Sequence, residues 1–498
     1  MTMETKTTEN ATPAPTQPQS KTVQTDHTVT IQGKSVAYTA TAGTYILNEE
    51  KFGEGDKKDV YEGEKPRVEI FYTAYTKKDV KDIGERPITF AFNGGPGAPS
   101  LWVHLGVLGP RRVALNEDGS PLPPPSKLVD NEFSLLDRTD LVMIDPVGTG
   151  FSRAVSGDKP KDFWGWKKDI ESVGEFIRSF IAENGRWGSP KYIAGESYGT
   201  TRATGLADYL SDKHGLYLNG IILISTALDF MTLDFYDGND LPYVTFLPTY
   251  ATAAWKHGKI AEKYRSLTLK EVAARSSEFA SSEYMSALFA GDRLSDEQKR
   301  AVAEKTAEWI GLSADYILKS NLRVSMDHFG KELLRGEGKV IGRFDARFIG
   351  PDKNGAGESP SYDPSDSEIS GVFAGALNDY LNRELNFKTD REYNISNALW
   401  RIWDYKEFQN RYVQLEEMLH DTMVRNKFMR VWVLNGYYDL ATPFFAAEFV
   451  FNHLNLTPEL RKNLTMTYYE AGHMLYIHRP SLVKFRRDAE EFFDGKSA

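Results

Sequence analysis

Five short, almost unbroken apolar runs set the frame of this chain: PITFAF from Pro87, DLVMID from Asp140, KYIAG from Lys191, GIILISTA from Gly220 and MRVWVLNG from Met429. A strand that is apolar on both faces must be covered on both, which is the condition of strands inside a parallel sheet. Between the second and third runs, Phe163, Trp166, Ile170, Val173, Ile177 and Phe180 recur at helical spacing, behind a cap expected at Asp162. Strands alternating with helices specify a doubly wound α/β arrangement. Ahead of them, the period-two patterns of HTVTIQGKSVAYTATAGTYILNE and RVEIFYTAYTKK predict antiparallel strands at the start of the fold.

The alternation is interrupted once. From about Phe235 to about Tyr412 the sequence is mostly helical, with a capping box at Ser295 and Gln298 and a long polar stretch, GPDKNGAGESPSYDPSDSE. The strand pattern resumes at Met429, so this region is expected to be an insertion that caps the site. The predicted organisation is a disordered tail over 1–26, the first part of the core over 27–234, a helical cap over 235–412 and the second part of the core over 413–498. The tail, rich in Thr, Pro, Gln and Ser, has little to bury against the entropy of ordering it. No internal repeat is present.

Composition narrows the partners. With 498 residues and 41% hydrophobic content the chain buries a large core. A net charge of -10 with both signs interspersed offers no basic stripe, so neither nucleic acid nor an anionic membrane is an expected partner. No run of eighteen apolar residues occurs, and no spanning helix is predicted. The complete absence of cysteine excludes disulfides, thiolate catalysis and cysteine metal sites. The tail's composition suits a segment that follows a cleaved export signal, and we expect a periplasmic or extracellular protein whose signal is absent from this chain; a cytoplasmic setting is the alternative.

Within the third run the chain reads KYIAGESYGTTRATG. Gly195-Glu196-Ser197-Tyr198-Gly199 has the G-x-S-x-G form, with strand before and helix after, as a nucleophile elbow requires. The bland alternative is a helix-capping Ser in a tight turn. A hydroxyl needs a base, and the base needs an acid to hold its tautomer. Asp439 lies just past MRVWVLNG, with Thr442 expected to cap and Pro443 to open the next helix. His473 lies just past LTMTYY, beside Gly472. The order Ser, Asp, His is that of α/β-hydrolases. Asp229, after GIILISTAL, is the rival acid, and His478, His104 and His453 are the rival histidines. TFAFNGGPGAPS follows the first run, and its Gly94, Gly95 and Gly97 allow the Gly95 amide to join that of Tyr198 as an oxyanion hole.

FNGGPG, DPVGTGFS, AGESYGT, NGYYDLATP and AGHMLYIHRP, in this order from about Pro87 to Pro480, resemble the serine carboxypeptidase family. The resemblance implies an α/β-hydrolase fold and an exopeptidase that removes C-terminal residues from peptides, with an acidic pH optimum and no metal or organic cofactor. It assigns Ser197, Asp439 and His473 to a triad, the amides of Gly95 and Tyr198 to the oxyanion hole, and Asn93, Gly94 and Glu196 to the substrate. Two carboxyls sharing a proton would account for an acidic optimum. The family's second Glu, however, aligns here with Val107, its Trp before the Asn with Ala91, and its Cys after Pro-Gly with Ala98. Either Asn93 and Glu196 suffice, or Trp102, His104 or Arg202 replaces the lost partner, or the chain accepts uncharged acyl substrates. The lack of cysteine suggests a bacterial-type member. Gly148, Thr149 and Gly150 lack the Lys-Ser/Thr of a phosphate loop and are read as a structural turn. Peptide hydrolysis is thus the leading expectation; an esterase or acyltransferase with the same triad is the second, and a catalytically silent binding protein the third.

Overall fold

Three long antiparallel strands open the structure: β1 (Thr22–Ile31), β2 (Lys34–Phe52) and β3 (Tyr61–Lys77). The computed structural model describes residues 18–495 apart from positions 54, 56, 57 and 156. Six further strands complete the sheet: β4 (Ile88–Phe92), β5 (Asp140–Ile144), β6 (Lys191–Ser197), β7 (Gly220–Thr226), β8 (Arg430–Gly436) and β9 (Leu464–Tyr469). They lie in the order β1-β2-β3-β5-β4-β6-β7-β8-β9, and the short strand Arg153–Ala154 pairs with β3 beside this path. Pairing is antiparallel as far as β3 with β5, and parallel from β5 to β9. This is the mostly parallel sheet with antiparallel N-terminal strands that the apolar pattern predicts.

The apolar runs are unbroken because alternate residues serve two cores. Ile222, Ile224, Trp432 and Leu434 enter one core, which is closed by α6 (Pro364–Asp379) and α8 (Arg479–Phe493). Ile221, Leu223, Val431 and Val433 enter the other, closed by α1 (Trp166–Glu183) and α2 (Tyr198–His214). A third core belongs to the region between β7 and β8. It is built by α3 (Leu241–Lys256), α4 (Leu269–Phe279) and α5 (Asp296–Ile310), and it takes in Tyr437, Tyr438, Leu440 and, from α7 (Phe444–Asn452), Phe444. The inserted helices therefore share a core with the chain that follows β8. Ser295 and Gln298 do form the capping box of α5.

Several boundaries differ from the sequence reading, each for a tertiary reason. The tail was expected to reach residue 26, but Thr22–Asp26 pairs with Thr39–Gly43 as the start of β1; residues 1–17 lie outside the described residues. The expected cap at Asp162 falls in a single tight turn, Pro160–Phe163, and α1 begins at Trp166 behind Gly165. There the Trp166 amide donates to the carbonyl of Asp404, a partner 238 residues away that no local pattern announces. The insertion is not wholly helical either. Lys339–Ile341 and Ile349–Pro351 form an antiparallel hairpin, and the polar stretch ends at Asp363, whose side chain caps α6. Among the described residues no helix is long and apolar enough to cross a membrane.

Where β4 and β5 enter the sheet, Asp140 is buried between two guanidinium groups. Arg86 Nε donates to one carboxylate oxygen at 2.7 Å and Arg186 Nη1 to the other at 2.6 Å. Both arginines are themselves buried. Removing the shared anion leaves two uncompensated cations, so Asp140→Ala should destabilise the fold by about 3–5 kcal/mol. Urea unfolding should show this as a lower midpoint at unchanged slope.

Candidate active site

The elbow is built by close approach. A Cβ on Gly195 would lie 2.1 Å from the carbonyl oxygen of Gly199, so only glycine lets β6 fold back so tightly into α2. Ser197 between them has φ 60° and ψ -130°, a strained conformation for a side-chain-bearing residue. Although it holds the N-cap position of α2, its side chain makes no capping bond. The bland reading of Ser197 as a helix cap thus has no support in its contacts, and the residue is half-buried at the C-terminal edge of the sheet.

The glycine loop after β4 is pressed against this corner. A Cβ on Gly94 would meet the Tyr198 amide nitrogen at 2.5 Å. Gly95 has φ 105°, open to glycine alone among common residues. Among the described residues, neither the Gly95 nor the Tyr198 amide donates to a protein acceptor. Two uncommitted N–H groups thus lie on the turn beside Ser197, at a helix N-terminus where negative charge is favoured. Over the loop lies a segment of the insertion. Asn397 and Trp400 donate to the carbonyls of Gly97 and Pro96 at 3.2 and 3.1 Å, and Trp403 Nε1 donates to Tyr198 Oη at 3.0 Å.

The candidate acid and base meet at the ends of β8 and β9. His473 Nδ1 and Asp439 Oδ2 are 2.8 Å apart, and both residues are buried. Asp439 also accepts from the amides of Ala441 and Thr442 at 2.8 and 2.9 Å and from Thr442 Oγ1 at 2.7 Å. With the Nδ1 proton given to Asp439, Nε2 is left free to accept a proton. Burial works against the imidazolium, but the charge and hydrogen bond of Asp439, with a contribution from Glu196, outweigh it and raise the pKa of His473. Among the described residues the side-chain hydrogen-bond partners of His473 are Asp439 and Thr442, and a base of this kind closes on its nucleophile as substrate binds. Thr442, read from sequence as a helix cap, serves the Asp439–His473 pair instead. Pro443 holds the N-cap position of α7.

Other candidates separate cleanly. Asp229 accepts from the Met231 amide at 2.8 Å and from Gln414 at 3.2 Å, so it caps a turn. His478 sits at the start of α8 with Ser481, and His453 bonds the Phe449 carbonyl. Glu196 and Asn93 do come together: Asn93 Nδ2 donates to Glu196 Oε1 at 2.8 Å, while Asn93 Oδ1 accepts from the Trp102 and Val103 amides. Burial pushes Glu196 up to about 7, against the lowering effects of His473, Tyr476 and Asn93 and with the help of Asp439. Two of the three suggested substitutes for the lost Glu are committed elsewhere, and the third packs on the insertion. Arg202 is spent on Asp169 and on the Asn93 carbonyl, at 2.8 and 2.7 Å. His104 bonds Tyr75 and is held neutral by burial, its pKa lowered to about 3. Trp102 packs on Phe373 of the insertion. Val107 is buried in the apolar core. In DPVGTGFS, Asp145 accepts from the amide and hydroxyl of Ser100 and thereby fixes the glycine loop, a structural role. Among the described residues no group of three or more His, Asp or Glu side chains is arranged to hold a metal ion.

One contributor carried no sequence signal. The turn of the inserted hairpin reaches across to both loops. His473 N donates to the Phe344 carbonyl at 2.6 Å, Gly472 N to Asp345 Oδ2 at 2.9 Å, and Leu440 N to the Arg343 carbonyl at 3.0 Å. The Phe344 ring also lies 5.2 Å from the imidazole, centre to centre. Asp345→Ala should therefore slow labelling of the nucleophile by a fluorophosphonate by about tenfold or more, since small misplacements of a base are costly. Asp345→Asn, which still offers Gly472 an acceptor, should recover most of the rate.

The serine carboxypeptidase family matches residues 60–479. The chain is 35% identical over 142 residues to pheromone-processing carboxypeptidase KEX1 of Saccharomyces cerevisiae, a stretch covering 28% of this chain and 17% of that one. It is 29% identical over 170 residues to serine carboxypeptidase-like 36 of Arabidopsis thaliana, covering 33% of each. The aligned stretches thus span about a sixth and a third of the lengths of these relatives. Among solved structures, that of KEX1(delta)p, a prohormone-processing carboxypeptidase from S. cerevisiae, superposes with a TM-score of 0.53 at 17% identity, over 91% of this chain and 92% of that one, a likeness of fold. With the family matched across most of its length, the chain belongs to the serine carboxypeptidase family.

Proposed function

We propose that the protein is a serine-type carboxypeptidase that releases C-terminal residues from peptides through an acyl-enzyme on Ser197. The observation that carries this reading is a buried carboxyl directly before the nucleophile, Glu196, bonded to Asn93 and held protonated to about pH 7. A protonated Glu and an amide both donate hydrogen bonds, and two donors beside the reacting Ser suit the terminal carboxylate of a peptide.

In this mechanism His473 Nε2 takes the proton of Ser197 Oγ as the oxygen bonds to the carbonyl carbon. Asp439 and Thr442 hold the imidazole in its tautomer, and the Gly95 and Tyr198 amides receive the charge on the former carbonyl oxygen. The C–N bond then breaks as His473 returns the proton to the leaving amine. Water, deprotonated by the same imidazole, attacks the acyl-enzyme, and Ser197 regains its proton as the shortened peptide leaves. A peptidase tuned to mild acid fits an exported setting.

A second reading has one observation in its favour: Val107 is apolar and buried where relatives in this family are expected to carry a second acid. An esterase or acyltransferase would use the same Ser197, His473 and Asp439 without gripping a carboxylate.

Hydrolysis of an N-blocked dipeptide with a free C-terminus, compared with its amide and methyl ester, separates the two. The free acid should be preferred over the amide by about tenfold or more in kcat/KM, and Ser197→Ala should lower kcat by about 10⁴-fold or more on either. Equal turnover of acid and amide would favour the second reading. Glu196 is a donor below its pKa of about 7 and a repelling anion above it, so KM for the free acid should climb as pH rises through that value, while KM for the amide stays level. Glu196→Gln carries no titrating proton, and its KM for the free acid should be flat from pH 6 to pH 9. A climb that persists in this variant would remove Glu196 from the role.

A further inference from the structure

Two buried polar atoms beside Ser197 have no hydrogen-bond partner: Glu196 Oε2 and Tyr476 Oη. Their residues are 2% and 1% exposed, which is where an unsatisfied donor or acceptor is least tolerated. The two groups face each other closely enough to interact. Burial raises the pKa of both groups; the phenol is among the groups that hold the Glu196 carboxyl down against it, and the charge of Glu196 raises the phenol further. Asn93 acts on the same phenol. Carboxyl, amide and hydroxyl thus converge on one spot, and each has bonding capacity left over.

The backbone has been shaped to admit the ring. A Cβ on Gly106 would lie 2.3 Å from Cε2 of Tyr476, so the turn His104–Leu108 carries glycine where any side chain would displace the phenol. That turn also holds Val107, whose side chain enters the apolar core. Tyr476 itself comes from the other side, three residues after His473, in the turn Leu475–Ile477. The loop that delivers the base therefore also delivers the hydroxyl.

What would satisfy these atoms follows from their kind and place. Tyr476 donates a hydrogen bond, Asn93 Nδ2 has a second proton beyond the one given to Glu196, and Glu196 donates when protonated. The guanidinium of Arg202 is spent on Asp169 and the Asn93 carbonyl, so the donors named at this spot are neutral ones. Neutral donors clustered in a buried place suit a compact anion. Glu196 directly precedes Ser197, and its charge acts on His473, which places the carboxyl at the reacting centre. We infer that Tyr476 is a specificity-determining residue, whose hydroxyl donates to the C-terminal carboxylate of the peptide alongside Asn93 and Glu196 and so fills the role left open by Val107. This rests on the carboxypeptidase reading.

The test is the ratio of kcat/KM for an N-blocked dipeptide free acid to that for its C-terminal amide, in wild type and in Tyr476→Phe. Both substrates are read on one preparation, so the folded fraction cancels. The ratio should fall by about tenfold in Tyr476→Phe, through a higher KM for the free acid. If wild type prefers the free acid and Tyr476→Phe keeps that preference, the role of Tyr476 is overturned while the carboxypeptidase reading stands. A loss shared equally by acid and amide would give the ring a structural role and also overturn it. Should wild type show no preference for the acid, the underlying reading fails, and this one with it. Tyr476→Leu provides the same ratio if the Phe variant does not fold.

Discussion

The geometry around Ser197 hangs on one buried cation. Arg202, on the first turns of α2, has no solvent exposure, and its guanidinium is sandwiched between the rings of Phe92 and Tyr198. It donates to Asp169 of α1 and to the main-chain carbonyl of Asn93 at the end of β4. A charge removed from water must be fully compensated by its partners, and here the partners are the helix beneath the sheet and the start of the glycine loop. Burial raises the pKa of Asp169 while the charge of Arg202 opposes it, the signature of a pair that depends on both members. The loop bearing Gly95 and the helix bearing the Tyr198 amide are thereby fixed to each other before any substrate arrives.

A second clamp does the same for the acid and base. Asp439 and His473 stand on neighbouring parallel strands, β8 and β9, so their loops leave the sheet side by side. That alone brings the residues near each other, but loops are the freest part of an α/β fold. The inserted hairpin removes this freedom by taking the amides of Leu440, Gly472 and His473 onto its turn. The region that was expected to act as a cap over the site is thus also part of the frame that holds it. Its own core runs continuously into Tyr437, Tyr438 and Leu440, so hairpin and acid loop are packed as one body.

Polarity within the site is divided by burial. Asp439 receives four hydrogen bonds, counting the His473 contact, and both of its oxygens are engaged. Glu196, equally buried but with one oxygen unpartnered, is pushed towards its neutral form. Two buried carboxyls of one site thus differ in their surroundings, one with both oxygens engaged and the other with one oxygen unpartnered. Relatives in this family are expected to place a second acid beside such a Glu. Here a phenol occupies the neighbourhood, and a phenol keeps its proton through the neutral range where a shared carboxyl proton is lost.

The sheet and the elbow are legible in the chain's local patterns, because both are written in local terms. Unbroken apolar runs can only be strands covered on two faces, and Gly195 and Gly199 around a single Ser permit one kind of corner. Their order along the chain also singled out Ser197, Asp439 and His473 as candidates, and Asn93 with Glu196 beside them. Tertiary structure decided everything that depends on neighbours distant in the chain. The start of α1 is set by Asp404, the true work of Thr442 by His473, and the position of the base by Phe344 and Asp345, 127 residues before Gly472 in the case of Asp345. The same holds for Tyr476, which lies in the AGHMLYIHRP stretch but whose approach to Glu196 and Asn93 has no local signature. A hydrogen bond or a close contact has no local signature when its partner is supplied by another part of the chain, and only folding shows which donors are left without one.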